Sequence, residues 1–305
     1  MIRFHSFSKR PKHFLSFTGL TVDEFLKLER SIKVDWREER NKKLKANRIR
    51  KIGGGRKLAL QELKDRLLVF LVYAKVYPSY LLLEYLFNVD ESNICRIIQE
   101  FTPILSGKIV INRRGRKIST LEELRRVIPD LDEVLIDSTE QRINRPRKKQ
   151  VRKKHHSGKK KAFTIKTQVM TDKRGLILHT SNSSPGRIHD YKYFQQTKVP
   201  GWLEDNPDIT VYGDSGFQGV NKDYPEISFK LPTKRTRAKK ELTRSEKIMN
   251  TKQRKKRVAV EHSLAHAKKF RILADIYRNS KEHYSAIFKS IAFIANLRML
   301  ERTTV

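Results

Sequence analysis

The sequence predicts an α/β protein in which a small all-α region precedes a mixed sheet flanked by helices. Apolar residues recur at helical spacing in residues 20–32 and 58–76, on either side of a three-glycine break at 53–55. From residue 133 the pattern changes to short β-branched runs, and helical spacing returns near the C-terminus. Strands followed by helices favour a mixed sheet covered by helices.

The charge of the chain indicates a polyanionic partner. Lys and Arg number 67 against 33 Asp and Glu, which gives a formal net charge of +34 and a pI near 10.3. Basic residues recur along the whole chain, which favours nucleic acid over a membrane surface. The longest apolar run, residues 67–74, is too short to span a bilayer, and no signal peptide is evident. We therefore expect a cytoplasmic, nucleoid-associated protein that does not bind membranes.

The N-terminal third contains the pattern of a helix-turn-helix. Residues 79–101, SYLLLEYLFNVDESNICRIIQEF, read as a short helix, a tight turn and a second helix capped by Asp90 or Ser92. Asn93 and Arg96 would face outward near the start of the second helix, where such proteins contact DNA. Helical hairpins are also common in ordinary cores, and the net charge favours the DNA-binding alternative.

Two predicted strands end in an acidic residue. An apolar run at 134–136 is predicted to be a buried strand that ends at Asp137, and the run within 208–217 ends at Asp214. Between them, residues 162–182 form two β-rich runs joined by a hairpin turn at 172–175. Each acid alone is equally well explained as a turn or cap residue.

Helical segments separate and follow these strands. A connector at 112–132 contains a short helix capped by Ser119 or Thr120. Residues 189–197 have helical spacing, with Asp190 predicted as the N-cap rather than as a metal ligand. We place a helix-turn-helix region at 1–118 and a catalytic domain at 119–305, with a basic insertion near 221–256.

A third acid, Glu261, lies on a helical segment among basic and apolar neighbours. If the strands of Asp137 and Asp214 are adjacent, a helix across their ends brings Glu261 to meet them. Three converging carboxylates repel one another unless cations neutralise them. Oxygen ligands without His or Cys suit Mg²⁺, with Mn²⁺ as a substitute, and two such ions can clamp a phosphodiester. The alternative is two turn acids and a solvated helix residue.

The chain resembles the DDE transposases of bacterial insertion sequences, which have an RNase H-like catalytic domain preceded by a helix-turn-helix. The segments that carry the resemblance are IDSTEQRI around Asp137, HSGKKKAFTIKTQV at 156–169, SSPGRIHD at 183–190, YGDSGFQG around Asp214 and RVAVEHSLAHAKKFRIL around Glu261. The resemblance implies that Asp137, Asp214 and Glu261 are catalytic and bind two Mg²⁺ ions. It further implies a homodimer that binds terminal inverted repeats in double-stranded DNA, cleaves there and joins the 3′-hydroxyl ends to target DNA.

Two basic residues near Glu261 resemble part of the Tyr-Arg-Glu-Lys signature of one branch of this family. Arg257 lies four residues before Glu261 and Lys268 seven after, so all three share a helix face. Arg254 stands where the signature has Tyr. Arg257 and Lys268 are therefore candidate DNA contacts, although a basic helix also carries such residues by chance.

Basic runs flank the proposed site on both sides. Residues 145–161 hold ten Lys or Arg without an acid, and residues 230–257 hold thirteen. Such runs are usually solvated, but their position favours a track for the DNA backbone that includes Lys159, Lys160 and Lys161. Two rival functions remain at this level: an RNase H-like nuclease without strand transfer, and a domesticated DNA-binding regulator.

Overall fold

The computed structural model describes residues 1–45, 60–111, 117–235 and 241–302. The chain divides into two compact units, each built from separate stretches. The first unit comprises Met1–Ser119, Lys268–Ala274 and Ala286–Val305, and the second comprises Thr120–Ala267 and Asp275–Ser285. The domain limits drawn from the sequence stay a prediction. The three-glycine break lies outside the described residues.

The first unit is mainly helical, as the spacing of apolar residues predicts. Its elements up to residue 119 are α1 (Phe4–Phe7), α2 (Pro11–Thr18), α3 (Val22–Lys45), α4 (Leu63–Val76), α5 (Tyr80–Phe87), α6 (Glu91–Ser106) and the paired strands β1 (Val110–Ile111) and β2 (Lys117–Ile118). Helix α4 is buried along almost its whole length. The rings of Phe4, Phe14 and Phe25 pack together at centroid distances of 4.9 to 6.0 Å, with Phe4 stacked on Phe25 and Phe14 edge-on to both. Helix α4 is therefore the centre of this unit.

Helices α5 and α6 form the predicted helix-turn-helix. The Ser79 hydroxyl accepts a hydrogen bond from the Leu82 N–H and caps α5. Asn88 adopts a left-handed conformation at φ 51° and turns the chain, and the Asp90 carboxylate accepts a hydrogen bond of 2.9 Å from the Ser92 N–H at the start of α6. Asn and Asp tolerate these turn and cap conformations well, so the local sequence determines the motif.

The second unit begins with helix α7 (Leu121–Val127). Thr120 caps it, and the Glu123 side chain completes a capping box. The strands that follow are β3 (Glu133–Arg142), β4 (His156–Ser157), β5 (Ala162–Asp172), β6 (Ile177–Thr180), β7 (Ser184–Pro185), β8 (Thr210–Tyr212) and β9 (Phe229–Lys230). They form one mixed sheet in the order β4-β5-β3-β8-β9, and β6 and β7 also pair with β5. Strand β3 is central, antiparallel to β5 and parallel to β8.

The prediction that strand β3 ends at Asp137 is wrong. The strand continues to Arg142, and Asp137 lies in its middle, paired with Val169 of β5. The apolar run stops at Ile136, but the following Thr139 and Gln141 are buried by the long partner strand. Burial by a neighbour, rather than the apolar character of these residues, keeps them in the sheet.

The remaining helices of the chain lie between and after these strands. They are α8 (Lys149–His155), α9 (Asp190–Gln195), α10 (Val199–Glu204), α11 (Val220–Asp223), α12 (Arg244–Lys268) and α13 (Tyr284–Arg302). Helix α12 is held on the sheet by Lys256, whose ammonium donates to the Glu133 carboxylate and, at 3.0 Å, to the Tyr212 hydroxyl. Residues of α13 from Ala286 onward belong to the first unit, where the Ser290 hydroxyl donates to the Thr102 carbonyl.

No helix within the described ranges combines the length and the apolar character that a membrane span requires.

Replacing Gly186 with Ala should destabilise the protein. A Cβ atom there would lie 1.7 Å from the Thr164 hydroxyl, so β5 or the turn after β7 must shift. We expect a loss of about 1–3 kcal/mol in the free energy of unfolding, measured by urea titration. Gly201→Ala in α10 is the matched control, because its Cβ meets nothing within 4 Å and alanine favours a helix. Equal stabilities of the two variants would contradict the packing at Gly186.

Candidate active site

Asp137 lies on the sheet face that packs against α12. Glu133 of β3 contacts Lys256 of that helix, and Asp137 lies four residues further along the same strand. Because the residues of a strand alternate between its two faces, Glu133 and Asp137 point to the same side of the sheet. One oxygen of the Asp137 carboxylate accepts a hydrogen bond of 2.8 Å from the Ser138 N–H. The pKa of this carboxyl is raised to about 6, chiefly by burial and further by the charges of Asp214 and Asp190. The Ser138 N–H and the charge of Arg257 act against the rise.

Asp214 comes level with Asp137 through the register of the neighbouring strands. Leu135 of β3 pairs with Tyr212 of β8, and each aspartate lies two residues further along its chain in the same direction. Asp214 then caps a 3₁₀ turn at Ser215–Phe217, where its Oδ1 accepts a hydrogen bond of 2.7 Å from the Gly216 N–H. The predicted adjacency of the two acidic strands is therefore present in the sheet.

This pair of aspartates suits a hard divalent cation. Each carboxylate uses one oxygen to accept a hydrogen bond from a nearby backbone N–H, and within the described ranges the other oxygen forms no hydrogen bond or ion pair to protein. Mg²⁺ is commonly held by one or two carboxylates, with water and substrate phosphate completing its shell. A cation there would also offset the burial that raises the pKa of Asp137.

The third predicted ligand, Glu261, is not gathered into this pair. It lies on α12 with an exposed side chain, one helical turn beyond Arg257. In the described part of the chain, no three His, Cys, Asp or Glu side chains form a group that could hold a metal ion. The role of Glu261 therefore stays a prediction.

Asp190 is a fourth acid near the pair, and its surroundings differ from those predicted. It is the first residue of α9 rather than its cap, which is His189, and its carboxylate accepts a hydrogen bond of 2.8 Å from the Lys166 ammonium. Its charge contributes to the raised pKa of Asp137. Helical spacing after Asp190 explains the cap prediction, and no local signal in the sequence indicates a partner on β5.

The cationic residues predicted near Glu261 have different environments. Arg257 is half-buried, its charge acts on Asp137, and its Nε is buried without a hydrogen-bond partner in the described structure. Lys268 is the last residue of α12 and is grouped with the first compact unit. Arg257 is thus the candidate with an electrostatic link to the aspartates.

Lys159, Lys160 and Lys161 occupy the turn between β4 and β5, and all three side chains are exposed. The sequence pattern does not predict helix α8, which precedes them and carries further basic residues. Exposed ammonium groups in a row are suited to contacting a phosphate backbone. Their assignment as DNA contacts stays a prediction.

On the helix-turn-helix, Arg96 is exposed on the first half of α6 and donates a hydrogen bond of 3.0 Å to the Asn93 side chain. The two residues lie one turn apart on the same face of the helix. Helices of this kind place such residues against base edges in the major groove. The structure therefore presents both candidate residues at the surface, and their contact with DNA stays a prediction.

Together, the helix-turn-helix and the paired carboxylates on a mixed sheet define a DNA-binding enzyme of the nuclease class. Residues 136–296 match the family described as DDE superfamily endonuclease, and residues 59–109 match the helix-turn-helix of DDE superfamily endonuclease. The chain belongs to the DDE superfamily endonuclease family. This confirms the resemblance and the predicted fold class. Members of the superfamily depend on divalent metal ions.

A curated relative agrees with the family assignment. The chain is 29% identical over 256 residues to a probable transposase for insertion sequence element IS702 from Microchaete diplosiphon, a match that covers 84% of this chain and 87% of the relative. No solved structure matches the chain significantly. The relative is similar over nearly its whole length, and its match extends beyond the catalytic region alone.

The raised pKa of Asp137 predicts how the stability of the metal-free protein depends on pH. The folded pKa is above the unfolded value of 3.8, so the carboxyl stabilises the fold most when protonated, and this contribution is lost as pH rises through about 6. Relative to wild type, Asp137→Asn should therefore gain about 2–3 kcal/mol of unfolding free energy between about pH 4 and 7, because each pKa unit corresponds to about 1.4 kcal/mol. Urea unfolding of both proteins in a chelator measures this difference.

Asp132→Asn is the control for that experiment. Its pKa is lowered, chiefly by a hydrogen bond from Lys173, so its contribution is lost only as pH falls below about 4, and its difference from wild type should stay nearly constant between about pH 4 and 7. A stability difference for Asp137→Asn that is constant across this pH range would contradict the buried carboxyl.

Proposed function

We propose that this protein is the transposase of an insertion sequence. It binds the terminal inverted repeats of the element, cleaves the DNA there, and joins the liberated 3′-hydroxyl ends to target DNA. The observation that carries the proposal is the placement of Asp137, within β3, beside Asp214, just after the neighbouring parallel strand β8, in the region that matches the endonuclease family. The similarity to a probable transposase over most of both chains supports strand transfer rather than cleavage alone.

In this proposal Asp137, Asp214 and Glu261 hold two Mg²⁺ ions, with Mn²⁺ as a substitute. The two aspartates offer carboxylate oxygens that form no bond to protein in the described structure. Glu261 lies one helical turn after Arg257 on the same face of α12. Because the charge of Arg257 acts on Asp137, this face of the helix is the one near the aspartates. In this proposal the exposed Glu261 side chain turns toward the aspartates when the metal ions bind.

When bound, divalent ions activate the attacking oxygen and neutralise charge on the phosphodiester. The residues of the chain position the substrate for that chemistry. Arg257 binds the phosphate beside the aspartates, which satisfies its buried Nε. Water first breaks a P–O bond at the element end and leaves a 3′-hydroxyl and a 5′-phosphate. The 3′-hydroxyl then attacks a target phosphodiester, which forms a new P–O bond and releases the 3′-hydroxyl of the cut target strand. Neither step requires a covalent bond to the protein.

The remaining basic residues bind DNA in two ways. Asn93 and Arg96 of α6 read base edges in the inverted repeat, whereas Lys159, Lys160, Lys161 and Lys268 contact phosphates. Bringing two element ends together requires at least a homodimer. Because its substrate is chromosomal DNA, we place the protein in the bacterial cytoplasm with the nucleoid.

Replacing any of the three proposed ligands should abolish cleavage without abolishing DNA binding. We expect Asp137→Asn, Asp214→Asn and Glu261→Gln to reduce cleavage of a supercoiled plasmid carrying the element ends by about a thousand-fold or more, since removing a metal ion costs several kcal/mol of transition-state stabilisation. Binding to end DNA should persist. The matched controls are Asp132→Asn and Glu226→Gln, which lie at exposed positions.

The same plasmid assay distinguishes the rival functions. Cleavage with joining supports a transposase, cleavage without joining supports a nuclease, and binding alone supports a regulator. A fully active Glu261→Gln variant would remove Glu261 from the site, and an active Asp137→Asn or Asp214→Asn variant would overturn the proposal.

The two classes of DNA contact predict different responses to mutation. Arg96→Ala should weaken binding to the inverted repeat by about 1–3 kcal/mol and leave binding to random DNA nearly unchanged. Changing Lys159, Lys160 and Lys161 to Ala should weaken binding to both DNAs alike and reduce the log–log salt slope by about 0.9 for each phosphate that the protein no longer neutralises. Each variant is the control for the other in salt-dependent binding titrations.

Arg30→Ala, on an exposed position of α3, controls for the removal of one positive charge. If Arg96→Ala, like Arg30→Ala, weakens binding to the inverted repeat no more than binding to random DNA, Arg96 does not read bases. An unchanged salt slope for the triple lysine variant would mean that these residues are only solvated.

A further inference from the structure

Lys166 of β5 is a buried cation whose role the proposed chemistry leaves open. It is only 6% exposed, and its ammonium donates to the Ile188 carbonyl at 2.7 Å and to the Asp190 carboxylate at 2.8 Å. A third contact joins it to the Glu140 carboxylate at 3.6 Å. Lysine is rarely buried unless it is paired, and here its three N–H donors have three oxygen neighbours. Its position is therefore well defined.

These contacts fix the start of α9 against the sheet. Asp190 is the first residue of this helix, and its carbonyl accepts a hydrogen bond of 3.4 Å from the Gln168 side chain of β5. The Ile188 carbonyl, just before the helix, is held by Lys166. Side chains of one strand thus hold both the backbone and the carboxylate at this point.

The Asp190 carboxylate in turn packs against the turn that follows Asp214. A Cβ atom on Gly216 would lie 3.0 Å from Asp190 Oδ2 and 2.8 Å from Asp214 Oδ1. The Gly216 backbone is therefore enclosed between the two carboxylates, and its N–H donates to Asp214. Two acids this close repel each other, and the charge of Lys166 holds Asp190 in place against that repulsion.

We propose that Lys166 is a positioning residue for the Asp214 carboxylate. It acts through Asp190, which presses on the Gly216 turn and so sets where Asp214 lies beside Asp137. The inference rests on the proposed function, in which Asp214 binds the metal. Outer partners of a metal ligand typically change metal affinity by about 10–100-fold when they are removed.

An alternative role for Lys166 is to neutralise Glu140. Glu140 has another partner, because its carboxylate accepts a hydrogen bond of 2.8 Å from the Thr164 hydroxyl. The shorter contact of Lys166 is to Asp190, at 2.8 Å against 3.6 Å to Glu140. The contact geometry therefore favours the link to Asp190.

Lys166→Met separates positioning from simple electrostatics by the sign of its effect. Removing a positive charge near the site should by itself strengthen the binding of a divalent cation. Failure of positioning should instead weaken Mn²⁺ binding about tenfold, measured on the full chain without DNA from the electron paramagnetic resonance signal of free Mn²⁺. Lys173→Met is the matched control, since Lys173 is exposed and pairs with Asp132 at 2.9 Å. Unchanged or tighter binding in a folded Lys166→Met protein would overturn the inference.

A second pair of variants keeps the test valid if Lys166→Met does not fold. Asp190→Asn preserves the shape and an acceptor for Lys166, whereas Asp190→Ala removes both. Positioning predicts Mn²⁺ binding near that of wild type for Asn and about tenfold weaker binding for Ala. Equal weakening in both variants would show that only the charge of Asp190 matters, and would contradict the inference.

Asp214→Asn distinguishes failure of this inference from failure of the proposed function. If Asp214→Asn binds Mn²⁺ as well as wild type, Asp214 is not a ligand and the proposed function loses its metal site. If Asp214→Asn loses binding while Lys166→Met and Asp190→Ala keep it, only the positioning role is wrong.

Discussion

The register between β3 and β8 is the constraint on which the candidate site depends. The pairing of Leu135 with Tyr212 brings Asp137 level with Asp214, although the two are far apart in sequence. Strand β3 is also paired with β5 from Val134 to Arg142, so it is held in the sheet along both edges. A slip of one residue would turn Asp137 to the opposite face of the sheet, away from α12. The site therefore requires the whole central sheet to be formed.

Burying a charged carboxylate against this sheet costs free energy, and the two faces of the sheet differ in how that charge is neutralised. Opposite α12, Asp190 and Glu140 share the ammonium of Lys166. Beside α12, Asp137 forms no ion pair within the described residues. The charge of Arg257 lowers the pKa of Asp137 by less than burial raises it, so this pKa stays raised. An acid without a fixed cation, next to a second acid, is the environment in which a divalent ion is bound most favourably. Where a lysine already neutralises the acids, as Lys166 does, a divalent ion is bound less favourably.

In the proposed function, the strong positive charge of the chain and the few cations near the acids have different roles. Exposed residues such as those of the β4–β5 turn contribute to the net charge of +34, and we propose that they bind DNA of any sequence. Sequence selectivity requires side chains in defined positions, and α6 of the helix-turn-helix presents Asn93 and Arg96 in that way. Arg257 is half-buried and acts on Asp137, whereas the buried Lys166 acts on Asp190 and Glu140.

The sequence by itself determined the features that depend on neighbours along the chain. Helical spacing and the hairpin turn at 172–175 agree with the structure, and so do the caps, for which the sequence offered Ser119 or Thr120 and Asp90 or Ser92 and the structure has Thr120 and Asp90. Asp137 and Asp214 were candidates from the apolar runs before them and from the family resemblance, and their role stays a prediction. Only the tertiary structure decided that β3 continues past Asp137, that Lys166 holds Asp190, and that Glu261 is exposed rather than grouped with the aspartates. These features depend on which strands and helices pack together. The distance between two side chains that are far apart in sequence is set by that packing, and the pattern of residues along the chain does not predict it.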